Sequence, residues 1–216
     1  AVSRWHNLKP ESVISFSSKT APILAILRKN LLENKHTQIN YTDELPAFFD
    51  SEVVEHIYGY KFELKKVESA ADVTAPNSYR GNGSIVFISQ QAAVGNIDLN
   101  SGIDFFINLH AQLGSVLVAN GASNERYISE IQHVRRRETI AMTPANCLVA
   151  LKSLVTQSPV EYQKTNIETD KSTVLNLLTN ITGTTAKPLV ASSGLSIQYA
   201  IMMGLIHDAM ENHSGK

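Results

Sequence analysis

Arg135, Arg136 and Arg137 stand together in a chain of 216 residues whose formal net charge is −1. A guanidinium offers a planar fork of donors that fits phosphate oxygens, and such contacts grip a nucleic-acid backbone without reading its bases. The run sits in a helical pattern. Tyr127, Ile128, Ile131 and Val134 recur at i, i+1, i+4 and i+7 and make an apolar stripe. At about 100° per residue, Arg136 points away from that stripe. Arg137 falls on a flank shared with Arg126, Glu130 and His133, and Arg135 falls at the stripe's edge. The candidate nucleic-acid-binding residues are therefore Arg126, Arg136 and Arg137. A solvated helix face competes with this reading. Arg126 and Glu130 are i, i+4 partners, Glu138 follows the run, and cations suit the C-terminal end of a helix dipole.

Other reactive side chains carry less. Cys147 is the single cysteine. It is expected in the first turns of a helix opened by Thr143-Pro144, where a thiol is acidified. The apolar Leu148-Val149-Ala150 beside it favours a small core residue. Glu130 and His133 form one E-x-x-H, but di-iron bundles need that motif twice plus two further carboxylates. His207-Asp208 resembles the doublet of metal-dependent HD phosphohydrolases, without the upstream histidines and later aspartate such enzymes use. His56 and His110 have no ligand spacing around them. Arg80-Gly81-Asn82-Gly83-Ser84 lacks the Lys-Ser/Thr of a phosphate loop and precedes a strand pattern, so it reads as a tight turn. No catalytic residue, metal site or cofactor is expected from these patterns.

The elements that must position these groups read as mostly helical. Thr20 is read as the cap of a helix with Pro22 in its first turn, continuing through Ile23, Leu24, Leu27 and Leu31. Asp50 caps a second, from Ser51 to about Tyr58. Phe62 and Leu64 alternate with charged neighbours, and Ser84 to Ile88 is apolar and β-branched. These two stretches predict a small β element, with a polar loop from Ala75 to Gly83 between them. Ser101 is read as the cap of a helix carrying Ile103, Phe106, Ile107, Leu109, Leu113 and Val116. Further helices are expected after Ser123, Thr143 and Asp170. The last, from about Gly194 to Met210, is apolar on nearly every face and must be covered by a core or by another chain.

The expected fold class is mainly α: a single multi-helix domain over 1–216, with a small β element near residues 61–89 and an irregular N-terminal arm over 1–18. A charged fraction of 18% suits extended contact surfaces. A lone cysteine forbids an internal disulfide and suits a reducing compartment. No apolar run is long enough to span a bilayer. These features predict a non-enzymatic, self-assembling structural protein, nucleocapsid- or coat-like, contacting phosphates through the arginine helix. Its partners would be further copies of the chain and RNA or other nucleic acid, with no membrane, in the cytoplasm or inside a viral particle. Two other classes compete with it. One is a helical enzyme whose site converges from Cys147, His110, His133 and His207. The other is a protein-binding adaptor.

Overall fold

The structure, a computed structural model, describes residues 1–74, 82–90, 97–160 and 166–214. The chain divides into two compact units, Ala1–Val160 and Glu161–Lys216. The first contains α1 (Val2–Trp5), β1 (Val13–Phe16), α2 (Ala21–Leu32), β2 (His36–Tyr41), α3 (Ser51–His56) and β3 (Phe62–Lys66). It continues with β4 (Gly83–Gln90), β5 (Phe105–His110), β6 (Gly114–Ala119), α4 (Glu125–Glu138) and α5 (Pro144–Thr156). The second unit holds α6 (Ile167–Thr182) and α7 (Gly194–Asn212).

The six strands form one mixed sheet in the order β1-β6-β5-β4-β2-β3. The expectation of a mainly α fold is thereby corrected: the first unit is α/β. Strands β3, β2, β4 and β5 run parallel, and β6 is antiparallel to both β5 and β1. The largest single difference is the stretch 101–121, expected as a helix. It forms β5 and β6, a hairpin whose two strands are buried at every position. Apolar residues at helical spacing were present by coincidence. The continuous Phe-Phe-Ile and Val-Leu-Val runs suit strands covered on both faces. Gly114 is required at the turn. Its φ is +104°, and a Cβ there would overlap the Phe16 carbonyl oxygen.

Alternation divides the sheet into two faces. One carries Ile14, Ile39, Val86, Ile88, Phe105, Ile107 and Leu117, packed under α2 and α4. The apolar stripe expected on α4 is there, with Tyr127, Ile131 and Val134 buried. Tyr127 Oη donates to Asn30 Oδ1 (2.6 Å), and Asn30 Nδ2 donates to Thr37 Oγ1 (2.8 Å), so α4, α2 and β2 are pinned through one buried polar cluster. The other face carries Ile85, Phe87, Phe106 and Val118 against Ala70, Val73, Ile97 and Ile103. Next to these, Val116 packs with Leu113, Met142 and Ala150.

Local signals at several helix ends behave as their chemistry requires. The Asp50 side chain accepts from Val53 N (3.1 Å) and starts α3, and Thr143 Oγ1 accepts from Asn146 N (3.3 Å) at α5. Asn166, not Asp170, caps α6, accepting from Thr169 N (3.3 Å). Most of the loop expected over Ala75–Gly83, with Arg80 and Gly81 of the glycine-bearing run, lies outside the described residues.

Candidate active site at the carboxyl edge of the sheet

The topology creates a crevice. The chain leaves β2 toward β3 on one side and leaves β4 toward β5 on the other, yet β2 and β4 are neighbours. Where outgoing connections diverge from adjacent parallel strands, a cleft opens outside their carboxyl ends. A cavity of about 460 Å³ lies there, lined by Thr42, Asp43, Glu44, Lys66 and Gln90. Its rim is ordered by the backbone. Asp43 Oδ2 accepts from Thr42 Oγ1 (2.9 Å) and Gln90 N (3.4 Å), while Gln90 Nε2 donates to the Glu44 carbonyl (2.8 Å).

Beside this rim the sheet buries polar groups. Register pairs Ser89 of β4 with Asn108 of β5, and His110 follows two residues on, so all three project from the same face. Ser89 Oγ, Asn108 Oδ1 and both ring nitrogens of His110 are buried without a hydrogen-bond partner among the described residues. His110 is only 1% exposed. Burial, aided by the positive charge of Lys19, pushes its imidazole down to about 4, so the ring is neutral at pH 7. A neutral imidazole offers one donor and one acceptor. A native interior tolerates few such unsatisfied groups, because each costs on the order of 1–3 kcal/mol.

The loop after β1 closes over the hairpin. Ser115 Oγ donates to the Ser18 carbonyl (2.6 Å). Ser18 Oγ in turn accepts from Thr20 N (3.2 Å) and Ala21 N (3.0 Å), capping α2 from outside the helix. With Pro22 lacking an N–H and Ile23 N donating to the Thr20 carbonyl (3.0 Å), the first turn of α2 has used its donors internally. What this segment brings to the region is the Lys19 charge.

The arginines expected to bind phosphate are elsewhere. Arg136 and Arg137 are exposed in the last turn of α4, and Arg135 is half-buried beside Val134. Arg126 lies at the opposite end of the helix, about 15 Å away by helical rise. Its guanidinium pairs with Glu33 (3.4 Å) and covers the Tyr127 ring (5.4 Å). Glu138 pairs with Arg28 of α2, which binds the end of the arginine run to its neighbouring helix. The structure therefore brings Arg136 and Arg137 together and separates Arg126 from them.

Nor do the other reactive residues converge. Cys147 Sγ donates to the Met142 carbonyl (3.6 Å) and borders an apolar cavity of about 330 Å³ lined in part by Val13, Val116, Ala150 and Leu154. Glu130 and His133 are half-buried on α4, and His56 is exposed at the end of α3. His207 pairs with Glu211 (2.8 Å) on α7 itself. Among the described residues no group of three or more His, Cys, Asp and Glu side chains could hold a metal ion. Ser89, Asn108, Asp43 and Gln90 escaped sequence reasoning. Their one signal was a polar residue in the second half of a strand or just past its end, visible only once the strands are known.

No family model matches the chain. No curated protein matches it. Solved structures overlap it loosely. One, from Listeria monocytogenes and provisionally assigned as an L-allo-threonine aldolase, is 8% identical over 67% of this chain and 53% of its own, with a TM-score of 0.40. The O-acetylhomoserine sulfhydrylase of Wolinella succinogenes is 13% identical over 66% of this chain and 55% of its own, with a TM-score of 0.37. A protein described as SspA in complex with cysteine is 13% identical over 82% of this chain and 63% of its own, with a TM-score of 0.42. The chain thus spans between about half and two thirds of these proteins. Likeness at this level shows neither a shared family nor a shared activity. The expectation of a non-enzymatic, RNA-binding nucleocapsid or coat subunit is nevertheless corrected. The helical architecture it rested on is replaced in the first unit by a six-stranded mixed sheet, and Arg126, paired with Glu33, lies at the far end of α4 from Arg136 and Arg137. Among the described residues no helix is long and apolar enough to cross a membrane.

Proposed function

We propose that the Ala1–Val160 unit binds a small polar molecule at the carboxyl edge of its sheet, in the manner of an α/β enzyme domain. One observation carries this reading. The crevice between the diverging connections of β2 and β4 is lined by Gln90, the residue after Ser89, and β4 and β5 bury Ser89, Asn108 and His110 without hydrogen-bond partners among the described residues. Ligand sites in open α/β sheets form at this place, with a few convergent polar groups that fix orientation.

The donor and acceptor pattern describes the ligand. Asn108 Oδ1 needs a donor, His110 can give one hydrogen bond and take another, and Ser89 can do either. Asp43 and Glu44 in the cavity lining favour a cationic group, while Lys66 in the same lining and Lys19, whose charge acts on His110, favour an anionic one. A molecule of mixed polarity fits better than an apolar one. Neutral at pH 7, His110 would orient such a molecule as one hydrogen-bond donor and one acceptor.

Ligand-observed NMR with a mixture of small amines, carboxylates, amino acids and sugars tests the reading. The unchanged protein should show saturation transfer to at least one class, and Asn108→Leu or His110→Gln should abolish it. A protein that binds no member at millimolar concentration, or whose binding survives both substitutions, does not use this site.

A further inference from the structure

We propose that the helical unit formed by α6 and α7 is the self-association surface of this protein, and that it is covered by the same surface of a second copy. The observation is the composition and exposure of these helices. α7 has nineteen residues and buries none of them. Leu195, Ile201, Met202, Leu205 and Ile206 are all exposed, Leu205 to 65%. On α6, Val174, Leu177 and Ile181 fall at i, i+3 and i+7 and form an exposed stripe, with Ile181 at 80%. Helices this apolar do not stay open to water.

The area fits a dimer. Eight to ten such side chains, each showing about half of its surface, present on the order of 800 Å², which is about the share of one partner in a standard-size interface. Charge points to a like partner. From Ser172 to Ile206 the chain carries one formally charged side chain, Lys187. A charged protein or a nucleic acid would find nothing there to pair with, whereas an apolar patch is complementary to itself under two-fold symmetry. A bilayer surface fits less well. Helices that lie in a membrane interface carry Lys and Arg on their polar face, and α7 has neither.

The test is sedimentation equilibrium of the full chain over the micromolar range, for the unchanged protein and two variants. Ile201→Glu with Leu205→Glu alters α7, and Leu177→Glu with Ile181→Glu alters α6. Arg136→Glu, in the first unit, is the control. The unchanged chain and the control should approach twice the monomer mass of 23.7 kDa. Each double variant should raise the dissociation constant about tenfold or more, as for the loss of central interface side chains. Far-UV circular dichroism on the same samples reports whether the helices persist. Monomeric unchanged protein at every concentration overturns the proposal, since the surface is then covered within one chain or by another partner. A dimer that is undiminished in both double variants overturns it as well.

Discussion

His110 makes the pH dependence of stability legible at one residue. Unfolded, a histidine titrates near 6.5; folded, burial and the Lys19 charge hold this one at about 4. Above pH 6.5 both states are neutral and its contribution is fully present. Between 6.5 and 4 the unfolded chain takes a proton that the folded chain refuses, so stability falls as pH falls, by up to about 3 kcal/mol in all. Urea unfolding of His110→Gln should lack that part of the slope. Asn108 gives a prediction of opposite sign. Asn108→Leu removes a buried carbonyl without a partner among the described residues, and should stabilise the fold by about 1–2 kcal/mol while removing ligand binding. A destabilised variant would mean that Asn108 is already satisfied. His110 was visible in the sequence as a histidine with no ligand spacing. Its companions were not, because Ser89 and Asn108 meet through strand register, and no spacing along the chain encodes that.

The elements were legible where a cap or a long amphipathic stripe announced them, as at Asp50, Thr143 and the Tyr127–Val134 face. They were not legible where an apolar run is shorter than ten residues, since such a run fits a buried strand and a helix equally. β5 and β6 fell to this ambiguity. Their hairpin depends on Gly114, so Gly114→Ala should cost about 3 kcal/mol or more, because the backbone must shift away from Phe16 and Ser17. Little change in the midpoint of thermal unfolding would show that the turn relaxes freely. A second element-level device is Glu33, where α2 ends. It meets Lys29 (3.2 Å), Lys35 (2.7 Å) and Arg126 (3.4 Å). Burial alone would raise its pKa, but hydrogen bonds from Lys35 and Lys29 and the charges of Lys35 and Arg126 outweigh that and lower it. The stability it adds is therefore present above the ordinary glutamate range and lost as pH falls through the folded value. Glu33→Gln should cost about 1 kcal/mol at pH 7 and little once the carboxylate is protonated, in paired urea titrations.

At the scale of the molecule, the hydrophobic clusters of the described residues lie within Ala1–Val160. The two units thus differ in what holds them. The first has a sheet covered on both faces and a buried polar cluster, enough for a cooperative transition of its own. The second has two helices with exposed apolar residues, and most helical stability in proteins comes from packing such a face. A fragment of residues 1–160 should therefore keep the near-UV circular dichroism and unfolding midpoint of the whole chain, and neither should depend on protein concentration. The full chain should show an additional helical signal that strengthens with concentration, as mass action requires of helices stabilised by a second copy. A fragment that fails to fold would place part of the first unit's stability in residues 161–216. A helical signal indifferent to concentration would mean that α6 and α7 are held within a single chain.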